Sequence, residues 1–226
     1  MNGKNVSTYN RAARMIASIF GVLAGVGGLT HGIGETLQGN VAPSGITIYS
    51  WTEGPIATSM GGDPAMTVVP NLLITGWLTI VISIIMMVFA AAFIQRKGGG
   101  LIQILLSIVM LLTGGGFAPP VVGILAGIAG LGIRSPLAGW RKRLSAKIRD
   151  FLALLWPWIF GICVINGVFL VIGSLILVYF FALNNPGLFV NSFFLAIISL
   201  ILSIITGIAY DLQKSVRSAG ALRQAG

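Results

Sequence analysis

Long apolar stretches separated by short polar breaks dominate the chain, and their lengths decide what each can do. A bilayer core of ~30 Å is crossed by about 20 helical residues. Four stretches reach that length: 15–34, 70–94, 158–183 and 188–210. Two more, 98–116 and 119–133, meet at the helix-breaking segment Gly114-Gly115-Gly116-Phe117-Ala118-Pro119-Pro120. Their apolar parts, 101–116 and 121–133, measure about 24 and 20 Å at ~1.5 Å per residue, each short of a full crossing. The pattern predicts an all-α polytopic transmembrane bundle of six spans. Four spans plus a re-entrant hairpin over 101–133 is the alternative. Pro70 suits the first turn of the second span. In Trp156-Pro157-Trp158 the proline suits the start of the fifth, and the tryptophans favour the headgroup level.

The polar stretches fill in the rest of a single integral membrane domain over 1–226. Residues 36–67 read as a loop on the outer side, with turn signals at Pro43-Ser44-Gly45, Gly54-Pro55 and Gly61-Gly62-Asp63-Pro64. Ile48, Tyr49 and Trp51 suit a loop resting on the membrane surface. After Ser135-Pro136, Leu137, Trp140, Leu144, Ile148 and Phe151 recur at helical spacing. Arg141, Lys142, Arg143, Lys147 and Arg149 fill much of the remainder, so 136–151 reads as a basic amphipathic helix lying on anionic lipid headgroups of the inner leaflet. Such a face also suits a cytoplasmic partner bound helix-in-groove. Residues 211–226 read as a polar cytoplasmic tail.

Composition narrows the class. Only 8% of the 226 residues are charged against 56% hydrophobic, with mean hydropathy +0.96, whereas a soluble domain carries roughly 25% charged residues. The net charge of +9 falls between the apolar stretches and so reads as a membrane topology signal, not as a nucleic-acid surface. If both termini are cytoplasmic and every stretch crosses, all 14 lysines and arginines lie inside, the arrangement expected in a plasma membrane. The first stretch is as long as a full span and no A-x-A cleavage pattern follows it, so it reads as a retained span, not a signal peptide. The single cysteine, Cys163, lies in an apolar stretch and reads as a packed side chain.

Two small-residue stripes point to close helix packing. Gly21, Gly25, Gly28 and Gly32 fall on one helix face, and Gly123, Gly127 and Gly130 on another. The first suits packing next to a polar site, since the only histidine, His31, and Glu35 sit on the edge of its face, four residues apart. Ionisable groups in a span mark functional sites by default, and a histidine beside a carboxylate can carry a proton or contact a substrate. The segments GVLAGVGGL at 21–29 and GILAGIAGL at 123–131 also resemble each other. In the six-span reading they open two halves of opposite direction, the arrangement of inverted-repeat transporters.

No Walker loop, complete G-x-G-x-x-G or G-x-S-x-G elbow occurs, and one histidine with one cysteine cannot build a standard zinc cluster. No cofactor or metal is expected. These features favour a small solute or ion transporter or channel-like permease with its pathway near the glycine-lined first and fourth segments. A non-catalytic subunit or scaffold that binds partner helices or a second copy of itself is the second class, and a membrane-embedded enzyme the third.

Overall fold

The computed structural model describes residues 9–224, with side chains described as far as Arg217. Among them one helix, α1 (Arg11–Gln38), runs through the centre of the molecule. It packs along α3 (Leu72–Val88), which continues through a π-helical turn at Phe89–Phe93, and along α5 (Ala118–Leu131); α4 (Gly99–Leu112) lies against α5. On the other side stand α7 (Ala146–Val168), extended through a second π-helical turn at Phe169–Gly173 into α8 (Ser174–Phe181), and the long α9 (Pro186–Gln224). Two short helices, α2 (Gly54–Ser59) and α6 (Ala138–Arg143), lie in connections, and the strands β1 (Thr47–Tyr49) and β2 (Pro64–Met66) form a small antiparallel hairpin.

Among the described residues four helices are long and apolar enough to cross a membrane: Arg11–Gln38, Leu72–Phe93, Ala146–Phe181 and Pro186–Arg217. The shorter α4 and α5 form a hairpin whose tip lies beside Thr75 and Thr79 of α3, one to two turns below the first residues of that helix. The β-hairpin covers this end of the bundle, called here the loop end. At the opposite, basic end Arg134 reaches Gln95 and Tyr9, Arg141 bonds Ser215, and Asp211 of α9 accepts from the backbone N–H groups of Ala12 and Ala13 at the start of α1.

Glycine is what lets α1 occupy the centre. A methyl group at Gly32 would lie 2.9 Å from the Gly76 carbonyl oxygen, and one at Gly25 would lie 2.8 Å from that of Ser83. Gly28 meets Ser83 and Met110, and Gly21 meets Ala90 and Gln103. On α5, Gly123 abuts Ser107 and Met86, while Gly127 and Gly130 face Gly100 across the α4–α5 hairpin. Both stripes therefore lie inside this chain's own packing, against α3 and α4. The resembling segments do run antiparallel, with Gly27 beside Pro119 and Asn10 bonded to the carbonyl of Ile133. Their surroundings do not repeat, because α1 lies along α3 whereas α5 lies along α4 and α1 with no comparable contact to α7.

Several boundaries depart from the sequence pattern for identifiable reasons. Residues 136–151 do not form one helix: Leu137 is left-handed (φ 51°), α6 ends at Arg143, and the chain is extended at Leu144. Ser145 then caps α7 by accepting from the N–H of Ile148, while Ser135 closes only a local turn to Leu137. Pro157 consequently sits inside α7 instead of opening it. The lost backbone bond is tolerated where the helix is held by its neighbours, here through Trp156 and Phe160 in the core shared with α1 and α9. Pro70 lies before the first turn of α3, which Asn71 caps, and α9 continues through the stretch read as a tail, as far as Gln224. Cys163 is buried and free. The hydrogen-bonded strands bury Ile48 with Ala65 and Leu72, and the ring of Trp51 lies against Gly34, so only Tyr49 of that trio is largely exposed.

Candidate functional site

The polar groups of the loop end converge where α1, the α4–α5 tip and the β-hairpin meet. Helical geometry puts His31 and Glu35 one turn apart on α1; His31 is 5% exposed and Glu35 fully buried. Ser50, just past β1, inserts between them: its Oγ lies 2.8 Å from His31 Nδ1 and donates to Glu35 Oε1 at 3.1 Å. A hydroxyl carries one proton, so with that proton on the Glu35 side the Nδ1 must supply its own. Nε2 then points the other way, 4.0 Å from Asp63 Oδ2. The second carboxylate oxygen of Glu35, Oε2, is buried without a hydrogen-bond partner.

The glycine run of the α4–α5 tip closes around this pair. Gly114 and Gly116 have φ of 104° and 78°, a region in which side chains with a Cβ are strained. A Cβ at Gly114 would collide with the Glu35 carboxylate, and one at Gly116 with the His31 ring. The tip is tied down by Thr79 donating to the Thr113 carbonyl and by pairing of Thr67 with Thr113. Thr67 in turn shares a hydrogen bond with Thr75 at 3.1 Å. Ser50 is positioned by the hairpin itself, its N–H donating to the Asp63 carbonyl and its own carbonyl accepting from Gln38.

A cavity of about 400 Å³ adjoins His31. Phe20, Leu23, Gly27 and Thr30 of α1 form one wall, Pro119 and Val122 of α5 another, and Phe189, Phe193 and Leu200 of α9 a third. Leu170 and Val171, from the π-helical turn, complete it, and Asp63, Met60 and Pro64 lie at its loop-end rim. π-Helical turns are rare and recur at functional sites. His31 thus stands on the cavity wall with Glu35 behind it. The cavity runs along the face of α1 opposite α3, so the glycine stripe of α1 does not line it, except that Gly27, outside the stripe, contributes.

Compared with models of known protein families, with curated proteins and with solved structures, the chain finds no match. Its chemistry is therefore read from the site alone. Among the described residues no three histidine, cysteine or acidic side chains are grouped as metal ligands require. What the arrangement provides is a short relay, from an imidazole nitrogen at a cavity through one hydroxyl to an enclosed carboxylate.

Sequence reasoning singles out His31, Glu35 and the Gly114–Pro120 breaker but leaves them unconnected; the structure brings them together. It misses Ser50 and Asp63. Their signal is the alternation of Thr47-Ile48-Tyr49-Ser50 against Pro64-Ala65-Met66-Thr67, two short half-buried strands hidden in a loop rich in turn residues. Arg141, Lys142, Arg143, Lys147 and Arg149 stand apart at the basic end, the first four exposed and Arg149 paired with Asp150 at 3.4 Å.

Proposed function

We propose that this membrane protein is a small proton-coupled permease, in which His31, Ser50 and Glu35 exchange a proton and the adjoining cavity holds the solute. The observation that carries this reading is the position of His31: it lines the cavity, its Nε2 lies 4.0 Å from Asp63 at the cavity rim, and its Nδ1 is bonded to the hydroxyl that reaches Glu35. A proton arriving at Nε2 and one leaving Nδ1 through Ser50 would link occupancy of the cavity to the charge of a group sealed from water.

The reading includes a topology. The helices α1, α3, α7–α8 and α9 span the plasma membrane, α4 and α5 cross as two thin spans, and both termini are cytoplasmic. It is supported by the charge distribution, since residues 36–71, 113–117 and 182–187 at the loop end contain no lysine or arginine. The exposed basic residues of 141–149, with Trp140, Ile148 and Phe151 beside them, then lie against anionic headgroups of the inner leaflet.

The test is transport. A ligand-stabilisation screen of purified protein identifies solutes that raise the melting temperature, and those solutes are then offered to proteoliposomes. An imposed pH gradient is expected to accelerate their uptake. Uptake that ignores the gradient for every stabilising solute would remove the coupling.

A further inference from the structure

The cavity beside His31 has walls of one kind and a rim of another. Its body is apolar and aromatic, with Phe20, Phe189, Phe193 and Phe194 among its linings. At its rim stands Asp63, whose side chain is 24% exposed. No lysine or arginine occurs in the segments that build the loop end, and His31, the sole basic group on the wall, already faces Asp63 at 4.0 Å. An anionic headgroup entering here would meet a carboxylate and nothing to neutralise it. A cation would meet Asp63 across a partly dehydrated gap, where unlike charges attract more strongly than in water. Aromatic faces add to that attraction when a cation approaches them.

We infer that the cavity binds lipophilic organic cations, compounds with a positive centre held near Asp63 and an apolar or aromatic body seated among the phenylalanines of α9. A volume of about 400 Å³ lies within the range of roughly 300–1,000 Å³ typical of small-molecule sites. Thr30 and Ser174 add little polarity to the walls, because their hydroxyls donate to the carbonyls of Gly27 and Leu170 on their own helices. The inference rests on the permease reading for its physiological meaning, but the binding it asserts does not require transport.

Tetraphenylphosphonium and tetraphenylborate have nearly the same shape and opposite charge, so they isolate the electrostatic part. Binding of each to full-length protein in nanodiscs, with empty nanodiscs subtracted, is expected to be saturable for the cation and at least about tenfold weaker for the anion. Asp63→Asn keeps the left-handed backbone at φ 51°, which asparagine accepts readily. It is expected to weaken phosphonium binding about tenfold while the melting temperature of the free protein holds. Val171→Trp, which fills the cavity from the π-helical turn, removes saturable binding of both ions. Equal or tighter binding of tetraphenylborate, or phosphonium binding indifferent to Asp63→Asn, overturns the inference. Phosphonium binding without any pH-driven uptake leaves the cation site standing and removes the permease reading. The converse, pH-driven uptake of an anionic or neutral solute with no phosphonium binding, keeps the permease and discards the cation site.

Discussion

At the scale of single residues, the loop end turns on one hydroxyl. Ser50 is the only described group bonded to both His31 and Glu35, and the glycines at 114 and 116 leave no room for the pair to move toward the α4–α5 tip. Ser50→Ala is therefore expected to leave His31 Nδ1 and Glu35 Oε1 without these partners, at a cost of about 1–3 kcal/mol. Thermal unfolding in a fixed detergent or nanodisc checks this, and an unchanged midpoint would show that the link carries no energy. His31, Glu35 and the helix-breaking glycines were legible in the sequence because each breaks the chemistry of an apolar stretch. Ser50 and Asp63 were not, because a serine and an aspartate in a polar loop look like any others until strand pairing brings 47–50 against 63–66.

Among elements, the decisive relation is between α1 and the helices around it. Its glycine stripe meets the backbone of α3 and side chains of α3 and α4 at close contact, so a side chain added there must displace a neighbour, whereas Gly161 on α7 has open space beside it. Gly25→Leu is expected to destabilise the fold by at least about 1–3 kcal/mol through overpacking. Gly161→Leu is expected to stay within about 0.5 kcal/mol. Comparing the two melting temperatures separates internal packing from a general effect of bulk, and equal effects would contradict the packing. The stripes themselves were legible from spacing, but their partners were not, since any apolar helix is equally plausible from sequence. The break at Leu144-Ser145 was hidden for a related reason. The apolar positions of 136–151 keep helical spacing across it, and only the left-handed Leu137 and the cap at Ser145 reveal two helices.

For the whole molecule, the proposed topology rests on the distribution of charge and on the position of the α4–α5 tip. Phe117 at that tip is 42% exposed. In a Cys163→Ala background, Phe117→Cys is expected to react with a membrane-impermeant thiol reagent from the face opposite the termini. Reaction only from the face of the termini, or from neither, would contradict two thin spans. The all-helical class and the four stretches long enough to cross were readable at this scale, since they follow from the thickness of a bilayer, but the full extent of the third and fourth of these helices was not. The cavity was not, because it is bounded by α1, α5, the π-helical turn after α7, α9 and the loop, and no local pattern records such a meeting.

If the enclosed carboxylate couples the cavity to protons, proton movement with and without that carboxylate must differ. Proteoliposomes carrying a trapped pH-sensitive dye are given a solute that stabilises the purified protein, first with the natural chain and then with Glu35→Gln, whose side chain has nearly the same shape. Solute addition is expected to move protons in the first case. In the second, solute still binds but proton movement falls to the level of protein-free liposomes. Proton movement undiminished in Glu35→Gln would contradict the coupling.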